Sequence, residues 1–352
     1  MTIISTDKEH GRILLANADK AERQDRLTAE SVEVLRLSGA FALRTPATQG
    51  GAWVDAATVA NRLTLLGRAC PAAAWVAGTC ATAKTLLAGN FADPVLHEAF
   101  ADPDALACGS GVPAARGARV ADGVRITGRW PNISGCEDAA WAGLALTVDG
   151  TYCWAFIPVG ELTVDRTWQM AGMRGTGSHT LTADDLLVPA RWVTPGAMPT
   201  HGERSFYAIT VLAPIVGAAY GALDVINAMF ASDRKPFMTS YTRMGESPGA
   251  RHWLAEASHL VGRAERTMLA VAETSERDDL TDADSARLFM DLADAACDCR
   301  RATERMLDLH GASGFAAANP LQRYWRDIAV GSRHPHLNPY LAVERLGSAL
   351  AP

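Results

Sequence analysis

Helix-period segments occupy both ends of this chain and strand-period segments its middle, and that order constrains the fold more than any single residue. From about residue 16 to 101 apolar positions recur at helical spacing. Leu27, Val34 and Leu35 lead to Gly39, which suits a helix C-cap; Val54 to Arg68 and the alanine-rich Ala72 to Leu87, carrying Trp75, follow. Asp93-Pro94 opens a short helix with Asp as N-cap and Pro at N1. Between about 103 and 200 the texture changes to short runs: Val124 to Trp130, Trp141 to Val148, Tyr152 to Val159, Leu162 to Trp168 and Thr180 to Val188. Asp122-Gly123 marks a turn, and Asp149-Gly150, between two alternating runs, predicts a hairpin. Long helical patterns return at Phe206 to Ser232, Pro248 to Arg277 and Ala283 to His310. Thr281 or Asp282 is placed as N-cap and Gly311 as C-cap of the last. Shorter helices are expected over Leu321 to Val330 and Pro339 to Leu346. Helices of ~28 residues are long for a globular domain and predict a bundle. The expected class is α+β, mainly α, with a helical domain at 1–102, a small β-domain at 103–200 and a helical bundle at 201–352.

A chain of 352 residues exceeds the roughly 250 to 300 at which one core stops growing, so more than one subdomain is expected. Its formal charge of -6, with no run of Lys or Arg, provides no field for collecting phosphates and excludes nucleic acid as a partner. Seven cysteines are scattered without a CxxC pair, and Cys297 and Cys299 would point away from each other on a helix. That pattern suits a reducing cytoplasm. The first residues, MTIISTDKEHGR, carry charges where a signal peptide needs an apolar stretch. The uncharged run from Ser205 to Leu223 spans ~19 residues but holds Pro214 and two glycines, which predicts a buried helix rather than a membrane span.

Four segments carry chemistry. Gly128 to Trp141, GRWPNISGCEDAAW, resembles the segment of acyl-CoA dehydrogenases in which a Ser or Thr hydroxyl bonds flavin N5. It is more similar still to the reduced-flavin, two-component monooxygenases of that superfamily, which carry a Trp, a Ser-Gly pair and a second Trp at this spacing. The resemblance implies Ser134 as the N5 partner, Gly135 as room for the ring, and Trp130 and Asn132 as cofactor contacts. A hydroxyl suits N5, which is donor in one redox state and acceptor in the other. Taken alone, the segment also reads as a strand ending in an Asn/Ser/Gly turn. Trp168 to Val193, WQMAGMRGTGSHTLTADDLLVPARWV, resembles the family's closing strands and implies Arg174, Thr176 and Ser178 at the cofactor; Arg174 reads equally as a strand-end charge, and His179 as surface. Gly175-Thr176-Gly177 is no dinucleotide fingerprint, since no Gly stands at position 180 and no helix follows. The chain therefore shows no nicotinamide site of its own.

Arg234-Lys235-Pro236-Phe237 is similar to the family's Arg-x-x-Phe element, whose arginine reaches a phosphate of the cofactor in a neighbouring subunit through its bidentate fork. Leu309 to Asp327, LHGASGFAAANPLQRYWRD, resembles the Gly-rich turn and Arg-Asp of the last helices, with Gly311 and Gly314 allowing close approach to a cofactor. These matches imply an acyl-CoA dehydrogenase-like fold closing in a four-helix bundle, and a homo-oligomer built as a dimer of dimers.

One position departs from the dehydrogenase pattern. Many dehydrogenases of the family place a Glu base eight residues after the Arg-Asp aspartate; here that count reaches Pro335, and no carboxylate lies between Asp327 and Glu344. Some members of the family instead take their Glu from a long C-terminal helix, a role for which the resemblance offers Glu246 or Glu256. His334, seven residues after Asp327, matches the histidine of the monooxygenase branch, which there helps stabilise the flavin C4a-hydroperoxide; His336 is read as structural. A pKa near ~6.5 would let such an imidazole exchange protons near neutrality. The expected activity is a monooxygenase that takes reduced FMN or FAD from a separate NAD(P)H flavin reductase. With dioxygen it would hydroxylate or N-oxygenate a small organic substrate entering over Trp75 or Trp130, the flavin lying between the β-domain and the bundle. The alternatives are a dehydrogenase or oxidase with a relocated Glu, and a non-catalytic binding protein.

Overall fold

The computed structural model describes residues 2–351. Its helices are α1 (Thr2–Gln24), α2 (Ala29–Leu37), α3 (Ala56–Ala69), α4 (Pro71–Asn90) and α5 (Asp93–Ala99). The strands follow: β1 (Ala107–Ser110), β2 (Ala115–Val120), β3 (Gly123–Ile133), β4 (Trp141–Val148), β5 (Thr151–Pro158), β6 (Thr163–Asp165), β7 (His179–Pro189) and β8 (Val193–Pro195). The chain closes with α6 (His201–Ala231), α7 (Pro248–Ser275), α8 (Asp282–His310), α9 (Pro320–Gly331) and α10 (Pro339–Leu350). Two compact units result. One takes in the chain up to Asp55, Trp75–Met170 and Arg174–Thr200; the other takes in Ala56–Ala74, Ala171–Met173 and the chain from His201 onward.

In the first unit the strands form one mixed sheet in the order β6-β7-β3-β2-β4-β5-β8. One edge of β4 is shared: its first half pairs in parallel with β1 and its last two residues with β2. Asp149 and Gly150 both take positive φ between β4 and β5, so the hairpin that the sequence predicts closes in a type I′ turn. β3 and β7 pair antiparallel, with a register shift between Trp130 and Ile133. Pro131 has no N–H for the ladder and Asn132 sits at φ 62, so this pair forms a bulge. The bulge returns Ile133 to the core and starts the turn that carries Ser134. Trp130, Phe156, Trp154 and Trp192 fill the core on which the sheet closes.

The second unit is helical. Pro214 lies inside α6, which is mostly buried and is the one described helix long and apolar enough to cross a membrane. A seam of small residues lets α3 and α6 meet backbone to backbone. A Cβ on Gly217 would fall 2.3 Å from the Thr64 carbonyl oxygen, and one on Gly67 would fall 2.7 Å from that of Pro214. Tyr324 of α9 donates to the Arg68 carbonyl at 2.8 Å and ties a third helix to the seam. Thr281 caps α8 in a reciprocal capping box with Asp284, and Gly311 ends it.

Three expectations change. Strands β1, β2 and β8 were not anticipated; the first two, ACGS and ARGARV, lack the β-branched alternation that marks a strand, and the third is three residues long. β6 covers only Thr163–Asp165 of the expected Leu162 to Trp168. Asp93 is the first helical residue of α5, not its cap, which is Ala92.

Candidate active site

In the first unit, four expected residues, three hydroxyls proposed for the cofactor and the Trp75 proposed for the substrate, meet in one chain of hydrogen bonds. The Trp75 indole N–H donates to Ser134 Oγ at 3.2 Å. Ser134 Oγ lies 2.8 Å from Ser178 Oγ, and Ser178 Oγ lies 2.7 Å from Thr176 Oγ1. α4 supplies the indole, the β3–β4 turn Ser134, and the segment entering β7 the other two hydroxyls. Gly135 N donates to the Thr176 carbonyl at 2.8 Å and locks the two segments together. Gly135 takes φ 71, and a Cβ there would fall 2.8 Å from Val76 Cγ1, so the turn needs glycine on both counts. Of the three hydroxyl residues, Ser134 keeps the most exposure, 8% against 3% for Ser178 and 1% for Thr176.

A second shell of charge that the sequence did not suggest supports this turn. Arg26 holds Asp138 through a bidentate ion pair and donates to the Glu137 carbonyl at 3.1 Å. His179, expected at the surface, is buried. Trp168 N–H donates to its Nδ1 at 3.2 Å, Arg166 Nε donates to its Nε2 at 3.4 Å, and Glu137 Oε2 stands 3.3 Å from Nε2. Burial holds His179 below the ordinary imidazole range against the opposing pull of Glu137. Alternating polarity gave no hint of this cluster, because its members are far apart in sequence.

Other expected contacts in this unit lie elsewhere. Trp130 is fully enclosed in the sheet core, its indole N–H donating to the Ala145 carbonyl at 2.7 Å, and has no face left for a ligand. Asn132 is exposed and shapes the bulge. Arg174 is half-buried, and its Nε lies 2.6 Å from Asp25 Oδ1, so its charge is already paired within the chain.

In the second unit, His334 follows α9 in a turn, with His336 two residues on and their rings 5.1 Å apart. His336 N–H approaches His334 Nδ1 at 3.3 Å, which leaves the His334 proton on Nε2. Burial, with the neighbouring His336, pushes His334 down to about 3; burial and Arg345 take His336 to about 4. This corrects the expectation of an imidazole titrating near neutrality: at neutral pH both rings are uncharged, and His334 is a neutral donor. Asp327 is buried and accepts the Met173 N–H at 2.5 Å, which gives the Arg-Asp pair a structural task.

Arg234 packs on His310, donating to its carbonyl at 2.5 Å and to Ser313 Oγ at 3.0 Å. Burial and Arg234 together hold His310 below its ordinary range. Gly311 takes φ 73 at the end of α8, and Gly314 packs under Leu307 and His310. Arg234, Gly311 and Gly314 are thus brought together, while Phe237 is 91% exposed beside an equally bare Met238. Neither relocated-base candidate is poised for proton abstraction. Glu246 accepts Thr242 N–H and Oγ–H at 2.7 and 2.8 Å, bonds that hold its carboxyl below the usual range. Glu256 pairs with Arg305 at 3.0 Å, and both line a charged cleft of about 410 Å³ that contains no other expected site residue.

Comparison with known proteins adds four findings. Residues 209–339 match the family described as the acyl-CoA dehydrogenase C-terminal domain. The chain is 28% identical to the FADH(2)-dependent resorcinol hydroxylase oxygenase component of a Rhizobium species, over 92% of this chain and 87% of that one. It is 29% identical to a pigment production hydroxylase of a Rhodococcus species, over 97% and 94%. Among solved structures, XiaF from a Streptomyces species, in complex with FADH2 and glycerol, superposes with a TM-score of 0.92 at 27% identity, covering 99% of this chain and 94% of that one.

Proposed function

We infer that this chain, a member of the acyl-CoA dehydrogenase superfamily, works as the oxygenase component of a two-component flavin monooxygenase. It takes reduced FMN or FAD from a separate NAD(P)H flavin reductase and uses dioxygen to oxygenate a small aromatic substrate. The observation that carries this reading is a replacement: where the dehydrogenases hold a carboxylate base, this chain has none, and an uncharged His334 stands beside the vacant position. Similarity over nearly the whole length to oxygenase components supports it. Relatives include an indole-3-acetate monooxygenase and a p-hydroxyphenylacetate 3-hydroxylase oxygenase component, which favour a phenolic or indolic substrate.

The residues fit a flavin. Ser134 offers a hydroxyl able to donate or accept, on a turn pinned by Gly135 and Thr176, and Arg234 and the Gly311 turn would meet the phosphate of a cofactor in a neighbouring subunit. Reduced flavin supplies the electrons by which dioxygen gives one atom to the substrate and the other to water. Ser134 would hold N5, and Trp75 orients that hydroxyl from behind. His334 donates from Nε2 without carrying charge. A neutral donor there would hydrogen-bond an oxygen atom while keeping its own proton. The exposed Phe237 and Met238, beside Arg234, support a homo-oligomer in which this loop reaches a second subunit. A cytoplasmic setting suits the free cysteines.

The dehydrogenase reading finds no support at Glu246 or Glu256, each already held by its own chain. The test is turnover with isotope-labelled dioxygen, an unrelated flavin reductase and a panel of phenols and indoles. One labelled oxygen atom per product is expected, with product per NADH falling about tenfold or more in Ser134→Ala, on the scale of a lost positioned hydrogen bond. Product without label, or full coupling in Ser134→Ala, contradicts the assignment.

A further inference from the structure

We propose that Ser178, acting through Ser134, makes this chain select reduced over oxidised flavin. The inference rests on the flavin-oxygenase reading and concerns a hydroxyl that need not touch the ligand. A serine hydroxyl has one hydrogen and two lone pairs. Trp75 Nε1 can only donate, so it occupies one lone pair of Ser134 Oγ. One hydrogen and one lone pair remain, and two neighbours share them: Ser178 Oγ at 2.8 Å and the ligand.

The two arrangements differ in what they need from Ser178. Reduced flavin carries a hydrogen on N5, so Ser134 must present its lone pair there and send its own hydrogen to Ser178. Oxidised flavin has a bare N5, so Ser134 sends its hydrogen to the ligand, and Ser178 is needed for nothing more than filling the last lone pair. A buried donor without an acceptor costs far more than an oxygen with one unused lone pair. Ser178 therefore stabilises the acceptor state of Ser134 above all. Its own hydrogen has an outlet, because Thr176 Oγ1 lies 2.7 Å away on the far side. The three residues are buried, so water does not substitute for the missing partner. Ser178 is a positioning residue whose effect is a preference between redox states and not affinity in general.

The test is the ratio of dissociation constants for oxidised and reduced FMN and FAD, measured by anaerobic titration of wild type, Ser178→Ala and Ser178→Thr. Wild type should prefer the reduced form. Ser178→Ala should cut that preference about tenfold, mainly by weakening reduced flavin, and Ser178→Thr should restore it. Equal weakening of both forms, or an unchanged ratio, overturns the proposal. A measurement on wild type alone stands beside it: NMR of bound reduced flavin with a labelled N5 should show N5–H shifted as a hydrogen-bond donor, and an unshifted resonance also overturns it. Failure of wild type to bind either flavin would instead bring down the oxygenase reading on which the relay depends.

Discussion

His334 carries its burial as a pH signature. An unfolded imidazole titrates near ~6.5, whereas burial takes the folded ring down to about 3. Between those values the unfolded chain binds a proton that the folded one refuses, so stability is complete above the upper value and falls as pH drops toward the lower. His336, at about 4, adds to the same slope. Replacing His334 by Gln should flatten the decline in thermal midpoint between pH 6.5 and pH 3 relative to wild type; an equally steep decline would show that this ring does not contribute. Position in the sequence was enough to single out His334, since it stands seven residues after Asp327, one before the position where dehydrogenases of the family hold a carboxylate. Its charge state was not legible, because desolvation depends on what packs around the ring and not on its neighbours in the chain. Ser134, Thr176 and Ser178 were legible as candidates in the same way. That they form a single chain of hydroxyls, ending on the Trp75 indole, follows only from the fold bringing residues 75, 134 and 178 together.

At the scale of elements, helices were easier to read than strands. Long amphipathic periods and end signals such as Thr281 and Gly311 announce α8, whereas β1 and β2 gain their extended form from pairing with β4 and β3 and carry little propensity of their own. Trp130 illustrates the converse: it lies in the right motif, but strand alternation turns it into the core, and the Pro131-Asn132 bulge then resets the register so that Ser134 is the residue presented. The α3–α6 seam was invisible in the sequence because Gly67 and Gly217 are ordinary helix-interior glycines until their helices are juxtaposed. Gly217→Val should be severely destabilising, on the order of 3 kcal/mol or more, because its Cβ meets backbone that cannot move aside. Denaturant titration would measure it, and a loss below about 1 kcal/mol would mean that the seam can open at little cost.

For the molecule as a whole, the helix, β, helix order and four ordered motifs were sufficient to reach an acyl-CoA dehydrogenase-like fold, and the likeness to XiaF over 99% of this chain bears that fold out. On the proposed function, the division between removing hydrogen and activating oxygen would come down to a handful of atoms: no carboxylate between Asp327 and Glu344, a neutral donor at His334, and a hydroxyl at Ser134 whose direction Ser178 would control. The most direct test of that division is stopped-flow mixing of the protein and reduced flavin, prepared without oxygen, against oxygenated buffer. A transient spectrum distinct from both reduced and oxidised flavin should persist longer than with free flavin and decay faster in His334→Ala. Reoxidation straight to the oxidised spectrum, at the rate of free flavin, would contradict the account.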